Sequence, residues 1–528
     1  MIPLLARDLP HRRTTHARSS LLGWALLVSV SVLPLRSVGA QTILLVDDHD
    51  VYYRSGTKRV LHSPVRHPAN PLLAGPEPRN QFGYCSVYRN PATGRYQMWY
   101  QLAGADCVVC YAESDNGLKW SVPALGLITR KGIPTGNIVL ESPDHYGASV
   151  VVDPPGGDPA RRYKLVYFSL PKFDGPFAHP TDHRGPGGGM FVAFSPDGIR
   201  WTKYAKVVLP GSYGRTQDPP LVGEKYPWGA PNSIGDVLDA SYDPLRKSYL
   251  VFSKGWIDAP DGKLWWKRAI VRTESTDFVR WSPPQFVMTP DEHDGVRPWE
   301  YGGTRMGVQL HGAPVFIHHG VYFALLQVAD YETHGLQPIE LAVSRDGLAW
   351  SRPFRDTPFL PTGSTGQFDA GRIWSNATPV VLENEIRFYY GAYQHPWKFG
   401  KGPYPWGAMG TVPKSGLGVA TLPLDRFAGV RPLEKLGHVT LKPRALRAGT
   451  TLTINANAAG GSLRVELLNE RGYRVPGYTR DGAVPIVSDG LRHSVVWKEK
   501  GANSLPAGNY MIRVHLEGAA ELFAVTLN

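Results

Sequence analysis

Ser114-Asp-Asn-Gly-Leu-Lys-Trp120, Ser195-Pro-Asp-Gly-Ile-Arg-Trp201, Thr276-Asp-Phe-Val-Arg-Trp281 and Ser344-Arg-Asp-Gly-Leu-Ala-Trp350 are four versions of one phrase. Asp-Gly is a hairpin-turn pair, because both residues tolerate positive φ. The Trp that follows opens the next strand and can pack between sheets. The Trp-to-Trp steps are 81, 80 and 69 residues. An apolar, strand-like run precedes each phrase, at 107–112, 190–194, 269–272 and 339–343. Two more strands precede that run, so each unit holds about four strands, the content of one propeller blade. At this period residues 45–427 hold five units. The fifth ends in Pro423-Leu424-Asp425-Arg426-Phe427 in place of the turn phrase. The sequence therefore predicts an all-β fold, a five-bladed β-propeller in which Trp120, Trp201, Trp281 and Trp350 are equivalent.

Composition agrees with this reading. The chain has 528 residues, with 57 Gly, 47 Pro, 11% aromatic and 19% charged residues. Gly and Pro at this density suit many turns and exclude long helices. The aromatic content excludes wholesale disorder. Beyond 431 the texture changes to short apolar–polar alternation with turns at Glu470-Arg-Gly472 and Pro506-Ala-Gly508, which predicts a small β-sandwich. At the other end, Arg7, Arg12, Arg13 and Arg18 precede an apolar run over 21–35 and then Val38-Gly39-Ala40. This is the layout of a secretory signal, and the run is short for a membrane span. The expected domains are a signal peptide over 1–40, the propeller over 41–431 and the sandwich over 432–528. Secretion or a periplasmic location follows, with no membrane span after cleavage.

The formal charge of +12 includes +4 from the first forty residues, and no basic block occurs in the remainder. Diffuse charge of this kind speaks against nucleic acid as a partner. Cys85, Cys107 and Cys110 are an odd set. Cys107-Val-Val-Cys110 has zinc-like spacing but no second pair, so packing or one bridge to Cys85 is the expected use.

The repeated S-x-D-G-x-x-W units, the five-blade count, the closing L-P-L-D-R-F strand and the β-sandwich tail resemble the five-bladed propeller glycoside hydrolases of families 32 and 43. They also resemble exported proteins with a family 32 N-terminal-like domain. The resemblance covers nearly all of the chain after residue 40. It implies a carbohydrate substrate and hydrolysis by two carboxyl groups. Family 43 relatives can hold a calcium ion near the axis, and no cofactor beyond such a structural calcium is expected. The W-M-N-D-P-N-G, R-D-P and E-C motifs of family 32 are absent. Where families 32 and 43 place a catalytic Asp in the first blade, this chain reads Arg79-Asn80-Gln81-Phe82. The second blade offers His145-Tyr146-Gly147. A sialidase-like reading would need an arginine cluster and a sixth blade.

The candidate catalytic residues therefore come from residue type and position. Asp236 and Asp369 open the third and fifth inner strands, and Glu340 is a glutamate among apolar residues in the fourth blade. Asp239, Glu300 and the Asp47-Asp48 pair stand in reserve. Asp115, Asp197 and Asp346 belong to the turns and read as structural. His145, Arg372, Trp374, His395 and Trp397 are the candidate substrate-binding residues, the two tryptophans as stacking faces for a sugar ring. By analogy with family 43 the expected course is inversion. The alternative is a non-catalytic carbohydrate-binding propeller that lost the carboxylates of its first two blades.

Overall fold

The computed structural model describes residues 40–528 except 75–80, 104–106, 131–135, 142–145, 170–188, 212–233, 258–266, 295–306, 332–334, 356, 376–377, 398–414 and 501–503. The expected signal peptide lies outside the described residues. The chain is all-β, and its described helical turns are short 3-10 segments such as Pro159–Arg161 and Glu292–Asp294. No helix among the described residues is long and apolar enough to cross a membrane.

Five antiparallel sheets follow one another along the chain, each built on a four-strand path. Blade one runs Gln81–Arg89, Tyr96–Ala103, Val108–Ser114, Ile138–Glu141; blade two begins Tyr146–Val152, Tyr163–Ser169, Gly189–Ser195. Blade three begins Leu238–Asp243, Ser248–Ile257, Lys267–Ser275. In blade four the first strand is broken into Val308–Gly312 and Val315–His318, followed by Val321–Asp330 and Ile339–Ser344. Blade five has Arg372–Ser375, Glu385–Tyr393 and Ser415–Pro423, and its outer place is filled by Val65–Arg66 and Leu73–Ala74 from the start of the chain. The first strands neighbour one another around the ring, blade one beside two, two beside three, three beside four, and five beside one. This is a five-bladed propeller.

The turn phrase shows why the blades repeat. In each turn a Ser hydroxyl at the end of the third strand caps the loop. Ser114, Ser195 and Ser344 each accept at 2.9 Å from the N–H of the glycine three residues on. The Asn or Asp two residues after the Ser accepts from the next two N–H groups, as Asn116 does from Leu118 and Lys119, and Asp197 from Ile199 and Arg200. In blade three the phrase begins at Ser275, not Thr276, and Asp277 makes the same bonds to Val279 and Arg280. There Phe278 takes the left-handed place (φ 64) that Gly117, Gly198 and Gly347 hold elsewhere at φ 73, 78 and 70. Its fully buried ring, 5.1 Å from Tyr249 and 5.3 Å from Trp281, offsets the backbone cost. In blade one the capping side chain is Asn116, while Asp115 points to solvent with 89% of its side chain exposed.

Two of the turns are received by the blade before them. Trp99 of blade one donates Nε1–H to Gly198 O at 2.6 Å, and Tyr389 of blade five donates its hydroxyl to Gly117 O at 3.0 Å. The repeat tryptophans pack in the apolar layers between blades: Trp120 between five and one, Trp201 between one and two, Trp281 between two and three, Trp350 between three and four. Cys85 and Cys110 belong to the first of these layers, and all three cysteines are buried. Burial pushes the Cys85 thiol up to about 12, which makes it a packing residue and not a nucleophile.

Two further sheets form the sandwich, and here the expected boundary at 41 is corrected. Gln41–Leu44 pairs with Glu521–Leu527, Val51–Ser55 with Leu436–Leu441, and Thr57–Leu61 with Ala428–Pro432. The first strands after residue 40 thus belong to the sandwich sheets, because their alternating apolar residues complete a core shared with Val439, Ile454, Val514 and Val525. Only from Val65 does the chain enter the propeller.

The close fit at the turns gives a test. Gly198 and Gly126 both have positive φ, 78° and 65°, but a Cβ at Gly198 would meet Trp99 Cζ2 at 2.5 Å, whereas one at Gly126 meets nothing within 4 Å. Gly126→Ala should cost about 1–2 kcal/mol from backbone strain alone. Gly198→Ala should cost clearly more in urea unfolding, and equal losses would refute the proposed seat of Trp99.

Candidate active site at the propeller axis

Close approach of the first strands sets the site. Gly147 (φ 59) lets blade two come against blade three, since a Cβ there would lie 2.5 Å from Asp236 O. Just beyond this contact, Asp236 forms an ion pair with Lys254, a buried lysine on the second strand of blade three. Three residues on, Asp239 is 2% exposed. Its Oδ2 has no hydrogen bond among the described residues, while the Ala313 N–H bonds to the same carboxyl. Burial pushes the Asp239 pKa well above the carboxylate range.

Every other blade with a described side chain at this place contributes something other than acid. Tyr84 of blade one feels both Asp236 and Asp239, and burial together with these two charges raises its pKa well above the phenol range. Blade four supplies His311, 5% exposed, whose Nδ1 makes no hydrogen bond among the described residues. Burial, then Lys254 and Arg268, hold its pKa well below 6.5, so the ring is neutral at pH 7. Blade five supplies Arg372 and Trp374. The Trp374 ring lies 4.9 Å from His311, 5.5 Å from Tyr84 and 5.9 Å from Trp397. The Arg372 guanidinium stacks 4.3 Å from the Trp397 centroid and 4.7 Å from that of Tyr393, and donates to His395 O at 3.0 Å. Burial pushes Arg372 down to about 10. Trp397 is fixed by its Nε1–H bond to Gln337 Oε1 at 2.9 Å and by Tyr331 at 5.2 Å. Tyr331 in turn bonds to Arg268.

Of the residues singled out in the sequence, Asp236, Arg372, Trp374 and Trp397 meet in this cluster, and His395 reaches it through its backbone carbonyl. His145 and the reserve Glu300 lie outside the described residues. Two candidates are elsewhere. Glu340 sits on the third strand of blade four and accepts both Nε and Nη2 of Arg352, at 3.0 and 2.7 Å, while Arg352 Nη1 bonds both oxygens of Asp294 at 2.8 Å. Asp369, 1% exposed, accepts from Arg66 Nε at 2.6 Å and from the Tyr390 hydroxyl at 2.9 Å. Each is engaged in an ion pair of its own, Glu340 with Arg352 and Asp369 with Arg66. The reserve pair is also ion-paired: Asp47 bonds Arg345 at 2.8 Å, and Asp48 bonds Arg59 and Arg54. Sequence reasoning passed over His311, Lys254, Arg268, Tyr84, Tyr331 and Tyr393. One signal was present, a lysine inside the otherwise apolar strand Ser248–Ile257.

A calcium ion takes about six to eight oxygen ligands. The described axial residues offer two carboxylates, one already on Lys254, among three cations and several aromatic rings, a set that does not suit calcium.

No protein-family model matches the chain, and no curated protein matches it. Solved structures with a similar arrangement include a thermostable family-43 glycoside hydrolase, at 12% identity and TM-score 0.40, covering 67% of this chain and 91% of that one. An N-acetylgalactosamine deacetylase from F. plautii in complex with blood group B trisaccharide has 15% identity and TM-score 0.42, over 70% and 96%. A family 43 arabinoxylan arabinofuranohydrolase from Bacillus subtilis in complex with cellotetraose has 12% identity and TM-score 0.38, over 88% and 98%. At likeness this remote, the fold rests on the strand pairing described above.

Two outcomes follow from the charges. A carboxyl with a raised folded pKa contributes stability below its unfolded pKa and loses it as pH rises through the folded value. Asp239→Asn should therefore be more stable than the parent in urea at pH 8, with the difference shrinking toward pH 4. A constant difference would contradict the assigned environment. Glu340→Gln should lose about 1.5–3 kcal/mol, because the charge-assisted bonds from Arg352 are weakened while its pair with Asp294 remains. A loss below about 1 kcal/mol would show that the pair is not closed as described.

Proposed function

We propose that the chain is an exported glycoside hydrolase whose axial cluster binds a sugar and cleaves its glycosidic bond. Asp239 is the proton donor, and Asp236 is the second carboxylate, activating water. The observation that carries this reading is Asp239 itself: a buried carboxyl whose pKa burial raises well above the carboxylate range, with one unsatisfied oxygen, three residues from an ion-paired acid. Protonation of the leaving oxygen needs a raised pKa, and burial is the ordinary means of raising it. Lys254 positions Asp236. Trp374 and Trp397 give apolar faces for the ring, and Arg372 and Arg268 hold hydroxyl or carboxylate groups of the substrate. With three cations around neutral His311, uronate-bearing glycans belong in the first screen beside neutral ones. Inversion, with water between the two acids, is the stereochemical course proposed.

A non-catalytic carbohydrate-binding protein is the second reading. It is favoured by the first strands of blades one, two, four and five, Gln81–Arg89, Tyr146–Val152, Val308–Gly312 and Arg372–Ser375, which contain no Asp or Glu.

A screen of aryl glycosides and oligosaccharides separates the two. Under the first reading Asp239→Asn lowers kcat about 10²–10⁴-fold. Substrates with good leaving groups recover most of that loss, and Trp397→Ala raises KM. Undiminished turnover in Asp239→Asn would overturn the assignment, and saturable binding without turnover in the parent would establish the second reading. Export predicts that protein recovered outside the cytoplasm begins at Gln41 on N-terminal sequencing.

A further inference from the structure

Far from the axial cluster along the first strand of blade four, a two-residue turn joins Val315–His318 to Val321–Asp330, with His318 paired to Val321. His319 and Gly320 fill the turn at φ 50 and 77. Two successive left-handed residues make the turn that favours Asn-Gly or Gly-Gly. A histidine in the first place is an unusual choice, and it has a geometric result. Successive side chains of a strand point to opposite faces, but here the left-handed backbone swings the His319 ring beside that of His318, with centroids 4.0 Å apart. Both Nε2 atoms then face one carboxylate oxygen, Asp425 Oδ1, at 2.6 Å from His318 and 3.1 Å from His319. Asp425 is itself held left-handed, at φ 64, in the segment between Ser415–Pro423 and Ala428–Pro432. One ligand atom from each residue lies within 4.8 Å of the other two.

We infer that His318, His319 and Asp425 form a binding site for a divalent transition metal of the zinc class, joining the blade-four turn to the segment that leads from blade five into the sandwich. Two imidazoles and one carboxylate are a common zinc donor set, and bonds of about 2.0–2.1 Å would place the ligand atoms about 3.3 Å apart. That asks for only a small widening of the contacts present here. His319, 30% exposed, leaves the centre open to a water as fourth ligand. The next residue, Arg426, bonds Asn455 Oδ1 at 2.9 Å and Asp489 Oδ1 at 2.5 Å on the sandwich side. The metal would thus brace the hinge between the two parts. It is independent of the axial chemistry.

The test uses the full chain, stripped with chelator and titrated with Zn²⁺ by calorimetry and with Co²⁺ by visible absorption. One equivalent per chain should bind, with cobalt giving the intense bands of a tetrahedral site, and zinc should raise the unfolding temperature. His319→Asn keeps a residue that tolerates the left-handed turn. It should weaken zinc binding more than about tenfold and abolish the thermal shift, as should Asp425→Asn. Should Asp425→Asn fold poorly, His319→Asn alone decides. Absence of saturable zinc binding by the parent, or unchanged affinity in His319→Asn, would overturn the site and leave a hydrogen-bonded His–Asp–His cluster.

Discussion

The ring must close, and one backbone pairing closes it. Val65–Arg66 and Leu73–Ala74 lie antiparallel to Ser415–Pro423, so the outer strand of the last blade comes from the beginning of the chain. The axial cluster draws on blades one, three, four and five, and this pairing, with the apolar layer between blades five and one, holds the first blade beside the last. Asp369 finds its explanation here. Its carboxylate holds Arg66 on the closing strand and Tyr390 on the second strand of blade five, while Asn70 fixes the same segment by accepting from Val419 N at 2.9 Å and donating to Val419 O. The acid that opens the fifth blade also fastens the ring.

The fold was legible because its signal is local. The Ser hydroxyl, the Asp or Asn two residues on and the left-handed residue after it bond within a span of a few residues, so the phrase recurs as sequence wherever it recurs as structure. Even the exception, Phe278, left its Ser, Asp and Trp in place. The site was only half legible because its logic is not local. Asp236 and Glu340 are both single acids in apolar surroundings, and sequence alone cannot tell which one meets an arginine from a distant turn. Glu340 does, through Arg352, and the pair is completed by Asp294. The same holds for Asp239, which as a candidate in the sequence stands behind Glu340. A raised pKa comes from the absence of partners around a buried group, and absence has no sequence motif.

The axial cluster sets a buried lysine, two arginines and a neutral histidine around two acids. Its polar groups are incompletely satisfied: Asp239 Oδ2, His311 Nδ1 and Trp374 Nε1 make no hydrogen bond among the described residues. Native interiors seldom leave such groups without an occupant or a use. The layers between blades, by contrast, are continuous packings of Val, Leu, Phe and Tyr. Polarity is concentrated where the first strands converge, and the apolar walls hold those strands in place.

The placement of the first strands also bears on the order in which the molecule can be made. Gln41–Leu44 waits for Glu521–Leu527, and Val65–Arg66 waits for Thr421 and Ala420. Blades one to four can each form as soon as their own hairpins emerge, since their pairings are sequential. The leading segment has no sheet to join until the final strands arrive, and it stays an unpaired edge throughout synthesis and any passage across a membrane. Such contacts, spanning most of the chain, are slow to find. Commitment to the native ring is thus a late event, and a chain that stops short of Ser415–Pro423 would carry both an open propeller and a sandwich without its later strands.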